Sequence, residues 1–83
     1  MTKKIIVKLP PIFYFDHKDR DLPSGKIIKQ TQTYVMVELT PDELDEIRSD
    51  ADYYWEMRDE MTDLRSITSS AGATLRAIAK ATK

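Results

Sequence analysis

The sequence predicts a single α+β domain in which an N-terminal antiparallel sheet of about three strands precedes a long amphipathic acidic helix and a shorter Ala-rich C-terminal helix. Residues 1–40 are rich in β-branched residues that alternate with polar ones, whereas apolar residues recur every three or four positions in residues 41–83. A chain of 83 residues can build only one hydrophobic core. We therefore expect the β-rich part and the helical part to pack together as one domain over residues 1–83.

The first strand is predicted at residues 4–9, because every second residue from Ile5 to Leu9 is apolar. Pro10-Pro11 ends this strand, since proline has no amide hydrogen to donate to a ladder. Residues 12–15 (Ile-Phe-Tyr-Phe) are predicted to form a second extended segment. Residues 16–25 are mainly polar and end in Pro-Ser-Gly, which predicts a loop.

The third extended region covers residues 26–39, where most residues of one parity between Ile27 and Leu39 are β-branched. A single strand of this length is unusual. We therefore expect a bend or bulge near Gln30-Thr31-Gln32, followed by a firm strand at residues 33–39.

Thr40-Pro41-Asp42-Glu43 is the clearest local signal in the sequence and predicts the start of a helix. Thr40 can accept a hydrogen bond from the free amides, Pro41 suits the first helical position, and Glu43 completes a capping box. On a helical wheel of about 100° per residue, the apolar residues stay on one side and the acidic residues on the other as far as Leu64. The simplest interpretation is one helix of about 24 residues, although Ser49-Asp50 could start a second segment.

The run Ser66-Ile67-Thr68-Ser69-Ser70 is poor in strong helix formers, so we expect the first helix to end or kink there. A second helix is predicted beyond it from an apolar stripe formed by Ile67, Ala71, Leu75 and Ile78. A row of small side chains, Ala73, Ala77 and Ala81, would permit close contact with another helix.

The net charge of −1 conceals an uneven distribution along the chain. Residues 1–40 carry a net charge of +3, residues 41–63 carry −8 and residues 64–83 carry +4. The chain has no cysteine, which excludes disulfides, thiolate metal sites and a cysteine nucleophile. The apolar run Ile5-Ile6-Val7 is too short for a signal peptide or a membrane span, so we expect a cytoplasmic protein without membrane contact.

His17 is the only histidine, and it lies in a polar segment with three aspartates. Basic residues interrupt that segment and the spacing matches no metal loop, so an exposed polar turn is predicted rather than a metal site. The sequence contains no nucleophile elbow, phosphate loop or dinucleotide motif, and few groups suited to acid–base catalysis. We expect neither an enzyme nor a bound cofactor.

Tyr53-Tyr54-Trp55 covers about 200° of a helix, which is more than one flat sheet can bury. One interpretation is a broad core that sheet and second helix share. The other is a contact surface for another protein, because Tyr, Trp and Met are enriched at desolvated interface centres and charges steer encounter. Its apolar residues are Tyr53, Tyr54, Trp55, Met57 and Met61, and its acidic ridge contains Asp52, Glu56, Asp59 and Asp63.

The run TPDELDEIRSDADYYWEM, followed after a short gap by SSAGATLRAIAKA, resembles small accessory proteins of bacteriophages. The similarity covers roughly residues 40–81 and contains no catalytic motif. It implies an interaction role in a bacterial cytoplasm, such as inhibiting or redirecting a basic host factor. The favoured function is a non-catalytic protein-binding module, and we expect a homo-oligomer because the wide apolar face needs more cover than one small sheet provides.

Nucleic-acid binding is the alternative function. Lysines of the β-rich part could contact phosphates, and aromatic residues beside the first strand could stack on bases. The residues concerned are Lys3, Lys4, Lys8, Lys26 and Lys29, with Phe13, Tyr14 and Phe15.

Overall fold

The computed structural model describes residues 3–82 and confirms the α+β class. Within these residues, three strands form one antiparallel sheet, and three helices and a 3₁₀ turn complete the fold. The strands are β1 (Ile5–Leu9), β2 (Lys26–Gln30) and β3 (Val35–Leu39). The helices are α1 (Pro11–Asp19), α2 (Pro41–Glu56) and α3 (Arg65–Ala81), with the 3₁₀ turn at Thr62–Leu64. No helix in this part of the chain is long and apolar enough to cross a membrane.

The sheet has β3 in its centre, with β1 and β2 antiparallel on either side. Val37 is the partner of Val7 on β1 and of Ile27 on β2. Because side chains alternate between the two faces of a sheet, these three residues point to the same inner face, where both valines are buried. A bulge between Ile27 and Lys29 interrupts the register of β2.

Residues 12–15 belong to α1, so the predicted second extended segment is wrong. Pro10 lies in an extended conformation at the N-cap, and Pro11 occupies the first turn, where the missing amide hydrogen has no helical partner to lose. The amide of Tyr14 donates to the carbonyl of Pro10 over 3.0 Å and forms the first helical hydrogen bond. The two prolines therefore end β1 and begin a helix.

The predicted loop at residues 16–25 begins later, because α1 continues to Asp19. Two residues with positive φ reverse the chain after the helix: Asp21 (61°) and Gly25 (68°). A Cβ atom at Gly25 would lie 2.5 Å from the carbonyl oxygen of Glu38. Glycine is therefore required where the loop enters β2.

Residues 26–39 form two strands of a hairpin. The predicted interruption near Thr31 and the strand that follows it are confirmed, with β3 two residues shorter at its start than the predicted strand at 33–39, but the interruption is a full chain reversal and not a bend or bulge within one strand. Thr31 closes the turn, because its Oγ1 accepts hydrogen bonds from the amides of Thr33 (3.2 Å) and Tyr34 (3.1 Å). The amide of Thr31 donates to the carbonyl of Tyr34 over 2.9 Å. This hydroxyl turn reverses the chain without a glycine, which explains why the sequence has the pattern of a continuous strand.

The predicted start of α2 is confirmed. Thr40 Oγ1 accepts a hydrogen bond from the amide of Glu43 (3.2 Å), and Glu43 Oε1 accepts one from the amide of Thr40 (2.8 Å), which completes the capping box. The helix is continuous through Ser49 and Asp50, so no second segment starts there.

The predicted single helix as far as Leu64 is wrong, because α2 ends at Glu56 and turns follow at residues 57–60. Arg58 Nη1 donates to the carbonyl of Trp55 over 2.6 Å and satisfies one of the free carbonyls at the helix end. Apolar residues keep a helical spacing beyond this break, so periodicity alone does not reveal it.

The third helix runs through residues 66–70, where the sequence predicts a helix end or a kink. The hydroxyls of this run donate to carbonyls within the helix: Thr68 Oγ1 to Arg65 (3.1 Å) and Ser70 Oγ to Ser66 (2.8 Å). Local hydrogen bonding therefore accommodates residues of low helix propensity. With 17 residues, α3 is not shorter than α2, which has 16.

The third helix contacts α1, α2 and β1, and so joins the two other helices to the sheet. Its buried side contains Ala71 and Ile78. At Gly72 the helix meets α2 closely, because a Cβ atom there would lie 2.6 Å from Cζ3 of Trp55. Close contact between the two helices thus depends on a glycine beside the predicted alanine row.

Candidate functional site

The last turn of α2 presents an aromatic ring among acidic side chains. Tyr53 is 55% exposed, and Asp52 and Glu56 on the same turn are exposed as well. The ring of Tyr54 packs edge-on against the ring of Tyr53, with 6.0 Å between centroids. We define Asp52, Tyr53 and Glu56 as the Tyr53 surface.

Tyr54, predicted as a contact residue, is half-buried and packs mainly inside the molecule. Its ring meets that of Phe13 edge-on, with 6.1 Å between centroids, and the guanidinium of Arg20 lies 5.1 Å from its centroid. Burial raises the pKa of the Tyr54 hydroxyl. The Tyr54 ring therefore packs between the exposed Tyr53 ring and α1.

Trp55, Met57 and Met61, the other predicted apolar contacts, are all half-buried. The guanidinium of Arg58 lies 4.3 Å from the Trp55 ring centroid, and the ring also packs against Gly72. The amide of Met61 donates to the carbonyl of Met57 over 3.0 Å within the turn after α2. These residues therefore line the junction of α2 and α3 and leave only part of their surface for a partner.

The predicted acidic ridge does not form one continuous stripe, because α2 ends within it. Asp52 and Glu56 lie on α2, whereas Asp59 lies in the following turn and Asp63 in the 3₁₀ turn. All four side chains are exposed, and none of them takes part in an ion pair among residues 3–82. The negative charge therefore surrounds the end of α2 instead of following its length.

His17 is fully buried, so the predicted exposed turn is wrong. It follows Phe13 by one helical turn and shares the inner side of α1 with it. Its Nδ1 lies 2.8 Å from Asp50 Oδ2, and its Nε2 lies 2.9 Å from the carbonyl oxygen of Pro23. The i, i+4 spacing from Phe13 would have indicated burial if α1 had been recognised as a helix.

Both ring nitrogens of His17 have a hydrogen-bond partner, so the imidazole belongs to a buried polar cluster. The carbonyl oxygen of Pro23 can only accept, so Nε2 donates to it, while Nδ1 faces Asp50 Oδ2. Arg20 donates to both carboxylate oxygens of Asp50, and this hydrogen bonding raises the pKa of Arg20. The cluster links α1, α2 and the loop before β2.

The aromatic residues predicted for nucleic-acid binding do not lie on the sheet. Phe13 and Tyr14 are buried in α1, and Phe15 is half-buried beside them. The sheet instead brings Tyr34 to its outer face, where Lys8 Nζ lies 5.0 Å from the ring centroid. The sequence signal for this position is the alternation along β3, because Tyr34 is spaced by two residues from Met36, and Met36 from Glu38, so all three point to the same face.

Comparison with protein-family models, with curated proteins and with solved structures finds no match.

Two surfaces of residues 3–82 are candidates for function, the Tyr53 surface and the outer face of the sheet. Among these residues no three histidine, aspartate or glutamate side chains group in a way that could hold a metal ion.

Proposed function

We propose that the protein is a non-catalytic module that binds another protein through the Tyr53 surface. The observation that supports this proposal is the 55% exposure of Tyr53 between the exposed carboxylates of Asp52 and Glu56. A tyrosine ring loses little conformational entropy when a partner covers it, because it has few rotatable bonds. The carboxylates would accelerate encounter with a basic partner.

The end of α2 at Glu56 makes this surface smaller than a single long helix would provide. Met57 follows Tyr53 by one turn, and its amide donates to the Tyr53 carbonyl over 3.1 Å. Its side chain is half-buried, so part of its apolar surface is open to solvent. Asp59 adds negative charge beyond the helix end, so the surface combines a small apolar centre with an acidic rim.

The partner that suits this surface has basic residues around an apolar recess large enough for a tyrosine ring. The resemblance to bacteriophage accessory proteins would make it a protein of the bacterial host, which the chain would inhibit or redirect in the cytoplasm. A second copy of the chain is the other partner to test, because α3 carries Arg65, Arg76 and Lys80. Such a contact would produce the expected homo-oligomer.

Affinity capture from bacterial lysate with matched variants tests the proposal. Tyr53→Ser should lose a captured protein that the wild type and Ile12→Ser retain, because Ile12 on α1 is 54% exposed and serves as an equally exposed apolar control. Glu56→Lys should also lose it, whereas Asp19→Lys should not, since both residues are exposed and end a helix. If a variant and its control both lost the captured protein, or both retained it, the binding site would not be the Tyr53 surface.

Light scattering after size exclusion tests the second copy as partner. If copies of the chain bind through the Tyr53 surface, the wild type has a molar mass above 9.6 kDa at high micromolar concentration and Tyr53→Ser returns to the monomer mass. A monomeric wild type under these conditions excludes the homo-oligomer and leaves a different protein as partner.

A further inference from the structure

The outer face of the sheet is open and positively charged. The helices pack with the inner face, whereas Ile6 on the outer face is 55% exposed. Within residues 3–82, the strands and the residue before β1 bring four lysines and one carboxylate to this outer face, namely Lys4, Lys8, Lys26 and Lys29 with Glu38. Lys4 Nζ lies 3.3 Å from Glu38 Oε1. The other three lysines form no ion pair in the described part of the chain.

The strand register spreads these charges across the sheet. Lys8 and Lys29 are both partners of Met36, one on each side of β3. Neighbouring strands lie about 4.8 Å apart, so the backbones of these two lysines are about 10 Å apart. Lys26 is the partner of Glu38, two residues further along β3. The charges thus cover the width and the length of the sheet, as contacts to a flexible polyanion require.

An aromatic ring lies among the lysines. The cation–π contact between Lys8 and Tyr34 places the tyrosine ring on the outer face, where it is half-buried. Unpaired bases stack on such rings with little dependence on sequence, because every base has a π face. Lysine binds a phosphate as a point charge and lacks the fork that arginine offers to base edges, so this face has little means of reading sequence.

We propose that the outer face of the sheet binds single-stranded nucleic acid, with phosphates on Lys8, Lys26 and Lys29 and a base stacked on Tyr34. A second copy is a poor occupant, because two such faces would oppose lysines to lysines, and lysine is depleted at protein interfaces. A duplex is also a poor ligand, since its bases are stacked on one another and do not reach Tyr34. This site is separate from the Tyr53 surface and does not depend on the function proposed for it.

Fluorescence anisotropy with a labelled oligodeoxythymidine of about 15 nucleotides, roughly the upper site size of one such binding fold, tests the proposal on the intact protein. Three phosphate contacts predict a slope of about −2 for the logarithm of the association constant against the logarithm of salt concentration. The matched duplex should bind more weakly, and polyglutamate should not compete at equal charge. Absence of binding at low salt, preference for the duplex, or equal competition by polyglutamate would each overturn the proposal.

Paired variants locate the site. Lys8→Gln with Lys29→Gln should weaken binding and make the slope shallower by about 1.4, at about 0.7 per phosphate contact. Lys18→Gln with Arg76→Gln removes the same charge from exposed positions on α1 and α3 and should leave the slope unchanged. An equal effect of the two pairs would show that only net charge matters and would reject this face as the site.

A third comparison tests stacking. Tyr34→Leu keeps an apolar side chain but removes the ring, and it should weaken binding at least about fivefold with an unchanged slope. Tyr53→Leu is the control and should bind as the wild type does. Circular dichroism melting curves verify that each variant is folded, and unchanged affinity in folded Tyr34→Leu would reject the base-stacking role.

Discussion

The imidazole of His17 joins three parts of the fold at one buried point. Its Nδ1 lies 2.8 Å from Asp50 Oδ2, and its Nε2 donates to the carbonyl of Pro23 over 2.9 Å. Helix α1, the loop before β2 and helix α2 therefore depend on one another for position. A buried hydrogen bond of this kind is costly to break, because the polar atom that loses its partner stays in the interior away from water.

Asp50→Ala should lower the free energy of unfolding by about 2 kcal/mol, since it leaves the buried Nδ1 of His17 and the guanidinium of Arg20 without their shared hydrogen-bond partner. Asp45→Ala is the matched control on the same helix, because Asp45 is exposed and pairs only with Arg48 at 2.9 Å. That exposed pair should contribute under about 1 kcal/mol. Urea unfolding followed by circular dichroism measures both, and equal losses would contradict a special role for the His17–Asp50 pair.

The sequence predicts the fold class and the start of α2 because both depend on local chemistry. The alternation at residues 5–9 and the capping box at Thr40 need no information about the rest of the chain. The identity of residues 12–15 does not follow in this way, since Pro10-Pro11 ends a strand and begins a helix equally well. The helix is decided by contacts distant in sequence, because Phe13 packs on Tyr54 and His17 meets Asp50, both on α2.

The candidate site is harder to predict, because it depends on where α2 ends. Apolar spacing continues past Glu56. The end is fixed by the side chain of Arg58, which donates to the carbonyl of Trp55 in the last turn of α2, and by turn hydrogen bonds to the carbonyl of Met57. The break separates Asp59 and Asp63 from the helix that carries Asp52. Exposure of Tyr53 follows from the sequence in part, since three consecutive large rings cannot all face one side of a helix.

Thr31→Ala should lower the free energy of unfolding by about 1 kcal/mol, because the amides of Thr33 and Tyr34 lose their side-chain acceptor. Gln32→Ala is the control, since this exposed residue occupies the same turn. Thermal unfolding of both variants gives the comparison. A larger effect at Gln32 than at Thr31 would show that the threonine hydroxyl does not hold the hairpin turn.

Alkaline pH should destabilise the protein through Tyr14. Burial raises the pKa of its hydroxyl above the ordinary value of 10.0. Below about pH 10 the Tyr14 hydroxyl is protonated in both the folded and the unfolded chain, so its full contribution to the free energy of unfolding is present. Above it the unfolded chain releases the proton first, so the free energy of unfolding falls by at most about 1.4 kcal/mol per pH unit for this group until folded Tyr14 ionises too.

The variant Tyr14→Phe isolates this effect in urea titrations between about pH 9 and about pH 11, a range that spans tyrosine ionisation. It removes the hydrogen bond to the Ser24 carbonyl, 2.7 Å long, and so costs about 1 kcal/mol at neutral pH. The free energy of unfolding of this variant should fall less steeply at alkaline pH than that of the wild type. Burial also raises the pKa of Tyr54, so the free energy of unfolding of the double variant Tyr14→Phe/Tyr54→Phe should depend on pH still less. If the double variant lost as much stability at alkaline pH as the wild type, the two buried tyrosines would not be the cause.

Gly72→Ala should destabilise the protein even though alanine is the better helix former. The added Cβ would lie 2.6 Å from Cζ3 and 2.9 Å from Cε3 of Trp55, so ring or helix must move. Such overpacking costs about 1 to 3 kcal/mol, which exceeds or cancels the gain in helix propensity of about 1 kcal/mol. Trp55 is the only tryptophan, so a shift of its fluorescence emission should accompany the lower unfolding midpoint.

A smaller side chain at position 55 should reverse the effect of the Gly72 substitution. In a Trp55→Leu background the Cβ of Gly72→Ala meets no ring, so the same substitution should become neutral or stabilising. The difference between the two backgrounds gives a coupling energy, expected at about 1 to 3 kcal/mol for residues in direct contact. Additive effects of the two substitutions would contradict the close packing of α2 on α3 at this glycine.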